Sequence, residues 1–173
     1  TSPAGDEGKA VTAFGLAASF ARAGYRTLLV DFDLRNPCLH HLAGVPNRAG
    51  VCELLTGAAE AKDVAVELPG GPYFVPAGHW SAEARTAAVG DGSAKLLARL
   101  KEPFDVVVLH GHALLTVAES VEVARRSDVV LLCTLYRETR LPLLKRAAER
   151  LATTDVATAG VVYLGATPQE ALY

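Results

Sequence analysis

Thr27-Leu28-Leu29-Val30-Asp31-Phe32-Asp33-Leu34-Arg35-Asn36-Pro37 is the stretch on which the reading of the fold turns. Thr27 to Val30 is short, apolar and partly β-branched, the pattern of a strand covered on both faces. It runs directly into acid. Asp31 and Asp33 stand at i and i+2, so an extended chain sends both carboxylates to the same side. A buried strand that ends in charge belongs to an open α/β sheet, where ligands gather at the carboxyl ends of the strands.

The sequence on either side repeats this alternation. Tyr73-Phe74-Val75 is a weaker strand, and Val106 to Leu109, Val129 to Cys133 and Ala159 to Leu164 are strong ones. The segments between them have helical spacing. Val11, Phe14, Ala17, Ala18 and Ala21 recur at three- and four-residue steps, and Gly24 ends that helix. Ser93 to Leu100, Val117 to Arg125 and Leu143 to Leu151 are further helices, the last with a solvated basic face from Lys145, Arg146 and Arg150. Pro69-Gly70-Gly71-Pro72 is a surface turn. Strand–helix alternation without repeat or linker predicts one domain over residues 1–173, an α/β doubly wound, mostly parallel, three-layer sheet of the P-loop NTPase kind.

Composition bounds the rest. Half of the 173 residues are hydrophobic, enough for one sizeable core. A net charge of −2 gives no bulk attraction to nucleic acid or anionic lipid. No apolar run reaches the roughly 18 residues of a membrane span, and no signal-peptide pattern opens the sequence. Cys38, Cys52 and Cys133 form no CxxC pair and read as free thiols in a reducing cytosol.

Upstream of the first helix lies Thr1-Ser2-Pro3-Ala4-Gly5-Asp6-Glu7-Gly8-Lys9-Ala10-Val11. Phosphate binding by a loop needs small residues that let backbone N–H groups approach, a helix N-terminus behind them, and a lysine for the terminal phosphates. Gly8-Lys9 at the helix start supplies two of these. Pro3 stands at the first glycine of the GxxxxGK[ST] pattern, and Ala10 at the hydroxyl residue that would ligate Mg²⁺. An ordinary loop and helix cap is the competing reading of these residues alone.

Taken in order, Thr-Ser, Glu-Gly-Lys, a helix, Ala23-Gly24-Tyr25-Arg26-Thr27-Leu28-Leu29-Val30-Asp31 and Asp33-Leu34-Arg35, with Pro37, resemble the cytoplasmic domain of bacterial tyrosine kinases (BY-kinases). The similarity continues through Leu39-His40, Leu42, Gly44, Asn47, Gly50, Glu53 to Gly57 and Val75-Pro76-Ala77-Gly78. It resumes at Phe104 to Leu109, Ser127 to Leu132 and Gly160 to Val162. The resemblance implies ATP and Mg²⁺ as cofactors. It implies a nucleotide loop of Gly5, Asp6, Glu7, Gly8, Lys9, Ala10 and Val11, with Lys9 on phosphate. It implies Asp31 as a metal ligand and Asp33 as the catalytic group that activates the attacking tyrosine hydroxyl. It also implies a membrane chain-length regulator of capsule or exopolysaccharide export as partner, homo-oligomers, and a cytoplasmic position at the inner face of the membrane, while charge and hydropathy predict no nucleic-acid partner and no direct membrane insertion. The family has a strand immediately before Thr1, so the resemblance implies a piece excised from a longer chain. The strands bearing Asp31 and His110 are then expected to flank the slot of the upstream strand, which in this fold lies between or beside them.

Several departures set this chain apart. Ala10 removes the loop hydroxyl. His110 occupies the position of the second metal-binding (Walker B) aspartate, and imidazole is a poor ligand for hard, oxygen-preferring Mg²⁺. Gly111-His112-Ala113 replaces Thr-Pro-Pro, and Leu164 stands at an asparagine near the adenine. Phosphoryl transfer depends on positioning and charge neutralisation, so loss of the metal clamp predicts loss of activity. The expectation is a degenerate, non-catalytic kinase module. The rival readings are a weak Mg²⁺-dependent autokinase or ATPase using Lys9, Asp31 and Asp33, and a ParA/MinD-like partitioning ATPase. The early signature lysine of the latter is absent from Thr1-Ser2-Pro3-Ala4. A structural reading of Asp31 and Asp33 as loop caps, or as partners of Arg35, stands beside these. His110-Gly111-His112 and His40-His41 lack the spacing of a metal site. Trp80 reads as loop packing, Tyr173 as an ordinary chain residue, and Glu119 falls near a family aspartate of uncertain role.

Overall fold

The computed structural model describes residues 1–173 except 6, 90, 118, 168, 169 and 171–173. Asp6 and Tyr173 therefore lie outside the described residues. The chain divides into two compact units, Ala10–Gly111 and Thr1–Lys9 with His112–Tyr173.

The first unit is built on helix α1 (Lys9–Arg22) and strands β1 (Thr27–Phe32), β2 (Val66–Glu67), β3 (Tyr73–Val75) and β4 (Val106–Gly111). Their order is β2-β3-β1-β4. β1 runs parallel to both β3 and β4, and the two-residue β2 pairs antiparallel with β3. Every residue of β1 is buried, as its unbroken apolar run requires of a strand covered on both faces. Leu29 sits in register with Phe74 on one side and Val108 on the other. That row packs against Ala10, Ala13 and Ala17 of α1 and against Leu39. Alanines at three- and four-residue spacing give α1 a flat face that lies close on the sheet.

Short helices α2 (Leu39–Ala43), α3 (Val51–Thr56), α4 (Ala61–Val64) and α5 (Ala82–Ala88), and the longer α6 (Asp91–Lys101), fill the connections. α3 is docked by the backbone: Val51 N–H donates to Pro76 O and Cys52 N–H to Ala77 O, both at 2.9 Å. Around this junction Asn47 exchanges two hydrogen bonds with the Gly78 backbone, at 3.0 and 3.1 Å. The Glu53 carboxylate accepts from Gly50 N–H at 2.7 Å and His79 N–H at 3.1 Å. Partial burial pushes the Glu53 carboxyl up, but those donors and the His79 ring hold it below the usual carboxylate range. Asn47, Gly50, Glu53, Pro76 and Gly78 thus form one hydrogen-bonded knot at the end of β3. Burial, followed by the neighbouring Glu53 charge, pushes the Cys52 thiol up to about 11.

The second unit holds α7 (Glu119–Arg125), β5 (Val129–Leu135), α8 (Leu141–Ala152) and β6 (Ala157–Leu164), with β5 and β6 parallel. Val130 and Leu132 on one face of β5 pack with Leu114, Ala124, Ala147 and Leu151. Thr1 continues this sheet by one ladder step: its N–H donates to Leu131 O at 3.1 Å, and its carbonyl accepts from Cys133 N–H at 2.8 Å. Here the structure corrects the sequence reading. β1 and β4 were expected to flank another strand, but they are direct ladder neighbours from Thr27↔Val106 to Phe32↔Gly111. The upstream end of the chain instead meets β5. Strand adjacency in parallel sheets is set by crossover connections between distant segments, so strand patterning alone does not reveal it.

Candidate nucleotide site

The loop before α1 is held by its own polar groups. Glu7 and Gly8 both have positive φ, 40° and 76°, and a side chain on Gly8 would overlap Leu164 Cδ1. The left-handed backbone at Gly8 favours glycine, while Leu164 could turn aside. Ser2 is fully buried and donates to Gly5 O at 2.6 Å. Glu7 Oε2 accepts from Ala4 N–H at 3.2 Å and Gly5 N–H at 3.4 Å, while Oε1 accepts from the Thr139 hydroxyl at 2.8 Å. Lys9 is 5% exposed and donates to Gly5 O at 2.7 Å. Outside the loop, Leu114 N–H donates to Ser2 O at 2.7 Å and Leu115 N–H to Pro3 O at 3.0 Å. Gly5, Glu7, Gly8 and Lys9 are thereby brought together as one loop. Ala10 and Val11 open α1, Ala10 buried against the β1 core and Val11 exposed. The Glu7–Thr139 bond spans 132 positions, and no local pattern in the sequence marks it.

Asp31 and Asp33 end β1 in a second arrangement. Asp31 is fully buried. Its Oδ2 accepts from Cys38 N–H at 3.1 Å and Leu39 N–H at 3.0 Å, which caps the start of α2. Its Oδ1 accepts from Asp33 N–H at 3.2 Å and lies 2.9 Å from His110 Nδ1. The strand ends at Phe32, so Asp33 lies on the following turn, where its Oδ1 accepts from Asn36 N–H at 3.2 Å. His110, the cross-strand partner of Asp31 in the ladder, is 1% exposed. A carboxylate oxygen accepts here when the His110 tautomer carries its proton on Nδ1. His110 Nε2 is buried with no hydrogen-bond partner among the described residues.

Nearby residues mostly pack. The rings of His40 and His41 lie 3.9 Å apart. Burial and His41 hold the His40 ring below the ordinary imidazole value, against the pull of Asp31. Arg35 stacks over Trp80, its guanidinium carbon 5.6 Å from the ring centroid. Among the described residues no group of three or more His, Cys, Asp or Glu is arranged to hold a metal.

A loop of this composition at a helix start, with a β-strand ending in buried acid, is matched along the chain by a known family. The profile of the CobQ/CobB/MinD/ParA nucleotide-binding domain covers residues 1–164. The chain belongs to that family. Within it, the kinase domain of the Escherichia coli tyrosine kinase ETK superposes with a TM-score of 0.90 at 25% identity, covering 98% of this chain and 67% of that one. EpsB of Ralstonia solanacearum is 27% identical over 174 residues, all of this chain and 23% of that protein. The succinoglycan biosynthesis transport protein ExoP of Rhizobium meliloti is 32% identical over 130 residues, 73% of this chain and 16% of that protein. The chain therefore spans less than a quarter of the length of either of these relatives. Similarity to bacterial tyrosine-kinase domains, and the P-loop α/β fold, follow from these matches.

Magnesium, as implied by the family resemblance, does not fit the residues present. A carboxylate offers about four acceptor positions, and those of Asp31 are taken by three backbone N–H groups and His110. The remaining positions carry a methyl group, at Ala10, and an imidazole, at His110.

Proposed function

We propose that this domain is a degenerate kinase module that acts by binding and assembly, not by phosphoryl transfer, in a capsule or exopolysaccharide export system. The observation that supports the reading most is the buried Asp31–His110 contact at 2.9 Å. It places an imidazole on the carboxylate that a metal-dependent transferase needs for its ion. Metal ions neutralise the charge that develops in phosphoryl transfer, and the ordinary loss on removing such a clamp is several powers of ten in rate. Lys9 and the folded loop account for a scaffold that persists after the chemistry has gone. The polysaccharide context is supported by the similarity to ExoP, a succinoglycan biosynthesis transport protein. A membrane chain-length regulator is the partner this reading supplies, and homo-oligomers are its second mode of assembly. The domain would sit in the cytoplasm at the inner face of the membrane. No helix among the described residues is long and apolar enough to cross a membrane.

Incubation with Mg²⁺ and γ-labelled ATP tests the reading. No label on tyrosine is expected, in the domain itself or in a tyrosine-rich peptide. Labelling abolished by Asp33→Asn would establish the autokinase reading instead, with Asp33 as its catalytic group.

A further inference from the structure

In a parallel pair, residues in register on adjacent strands place their side chains side by side on the same face of the sheet. Asp31 and His110 are such a pair, at the last turnings of β1 and β4, and both are withdrawn from water. A buried carboxylate is tolerated only when it is paired and hydrogen-bonded. Three backbone N–H groups and the Nδ1–H of His110 meet that requirement with no ion. The ring's Nε2 lies buried without a partner among the described residues, a cost that a purely space-filling residue at position 110 would avoid.

We propose that the His110 imidazole takes the place of a divalent cation beside Asp31, so that this acidic strand end is complete and stable without metal. The inference rests on the reading of the domain as metal-free, and its failure is separable from a failure of that reading. An aspartate at position 110 would set two buried carboxylates side by side. Like charges at that separation disfavour each other until a cation lies between them. The native chain has no such need.

Thermal melts of the 173-residue chain in EDTA, Mg²⁺ and Mn²⁺ test this. The unsubstituted chain is expected to melt within about 1 °C in all three, since an ion that does not bind the native state cannot stabilise it. His110→Asp is expected to melt about 5–10 °C lower in EDTA and to recover at least half of that loss with either cation, by the same linkage. His110→Asn, whose amide still donates to Asp31, keeps the native indifference to metal. A native chain stabilised by several degrees in Mg²⁺ or Mn²⁺ would overturn the inference. So would a folded His110→Asp chain that ignores both ions. Should His110→Asp not fold at all, His110→Asn decides: acquired cation dependence there sinks the proposal. Tight Mg-ATP binding by the native chain would instead refute the metal-free reading of the domain.

Discussion

Introducing Ala10→Ser and His110→Asp together is expected to raise Mg-ATP affinity by more than the product of the two single changes. Both substitutions supply oxygen to one ion, and groups that share a partner couple by roughly 0.5–3 kcal/mol. That corresponds to about 2- to 150-fold beyond additivity, with tenfold for each 1.4 kcal/mol. Either change alone leaves the ion one oxygen short. Ala10→Ser also places a hydroxyl where Ala10 now packs against the β1 core, so alone it gains nothing and costs some stability. Titration calorimetry of the four proteins gives the coupling directly. The same cycle in EDTA should be flat. Additive or null effects in Mg²⁺ would show that the site has drifted beyond repair by these two positions.

The second large effect concerns the fold. Gly50→Ala is expected to destabilise the domain by about 3 kcal/mol, at the upper end of ordinary overpacking. Gly50 has an extended φ of −161°, so conformational strain is not the cause. A Cβ there would overlap the Pro76 carbonyl and crowd Gly78 N at 2.9 Å. Both are backbone atoms fixed by the Val51–Pro76 and Asn47–Gly78 hydrogen bonds. They cannot retreat without opening the knot that docks α3. At this chain length the melting temperature should fall by about 6–12 °C. Gly15→Ala is the matched control: Gly15 lies in α1 with open space around it. It should gain about 0.5–1 kcal/mol, because alanine suits a helix interior better than glycine. Equal effects of the two substitutions would mean the knot is not tightly packed.

Strand β1 was legible because burial on two faces leaves no room for polar residues in sequence, and β4, β5 and β6 were legible from their apolar, β-branched runs, although β6 is exposed along much of its length. Helix α1 was legible from its alanine spacing and Gly24. The short helices α2, α3, α4 and α5 were not. With four to seven residues each, they are too short for periodicity, and tertiary hydrogen bonds hold α2 and α3 in place. A usable signal existed for α5, where Ser81 caps the helix by accepting from Ala84 N–H at 3.1 Å. Within the site, Lys9 and Asp31 stood out by residue type and position. The contact between Asp31 and His110 depends on the register of two strands 79 positions apart, and residue order does not carry it. Strand order, set by crossovers between distant segments, is equally absent from residue order, which is why β1 and β4 were read as flanking another strand. The Asn47–Gly50–Glu53–Pro76–Gly78 positions drew notice only through resemblance. The structure supplies their physical reason, a set of backbone groups satisfied within one tight junction.

Calorimetric titration of the unsubstituted 173-residue chain with Mg-ATP, repeated in EDTA, bears most directly on the claim that the metal clamp is gone. The account predicts binding weaker than about 1 mM, equivalent to less than about 4.1 kcal/mol, or no heat at all, and the same result in both buffers. Micromolar binding that disappears in EDTA would contradict it. Such a result would mean that Asp31 exchanges His110 for an ion when nucleotide arrives, and that the domain remains a magnesium-dependent nucleotide-binding protein.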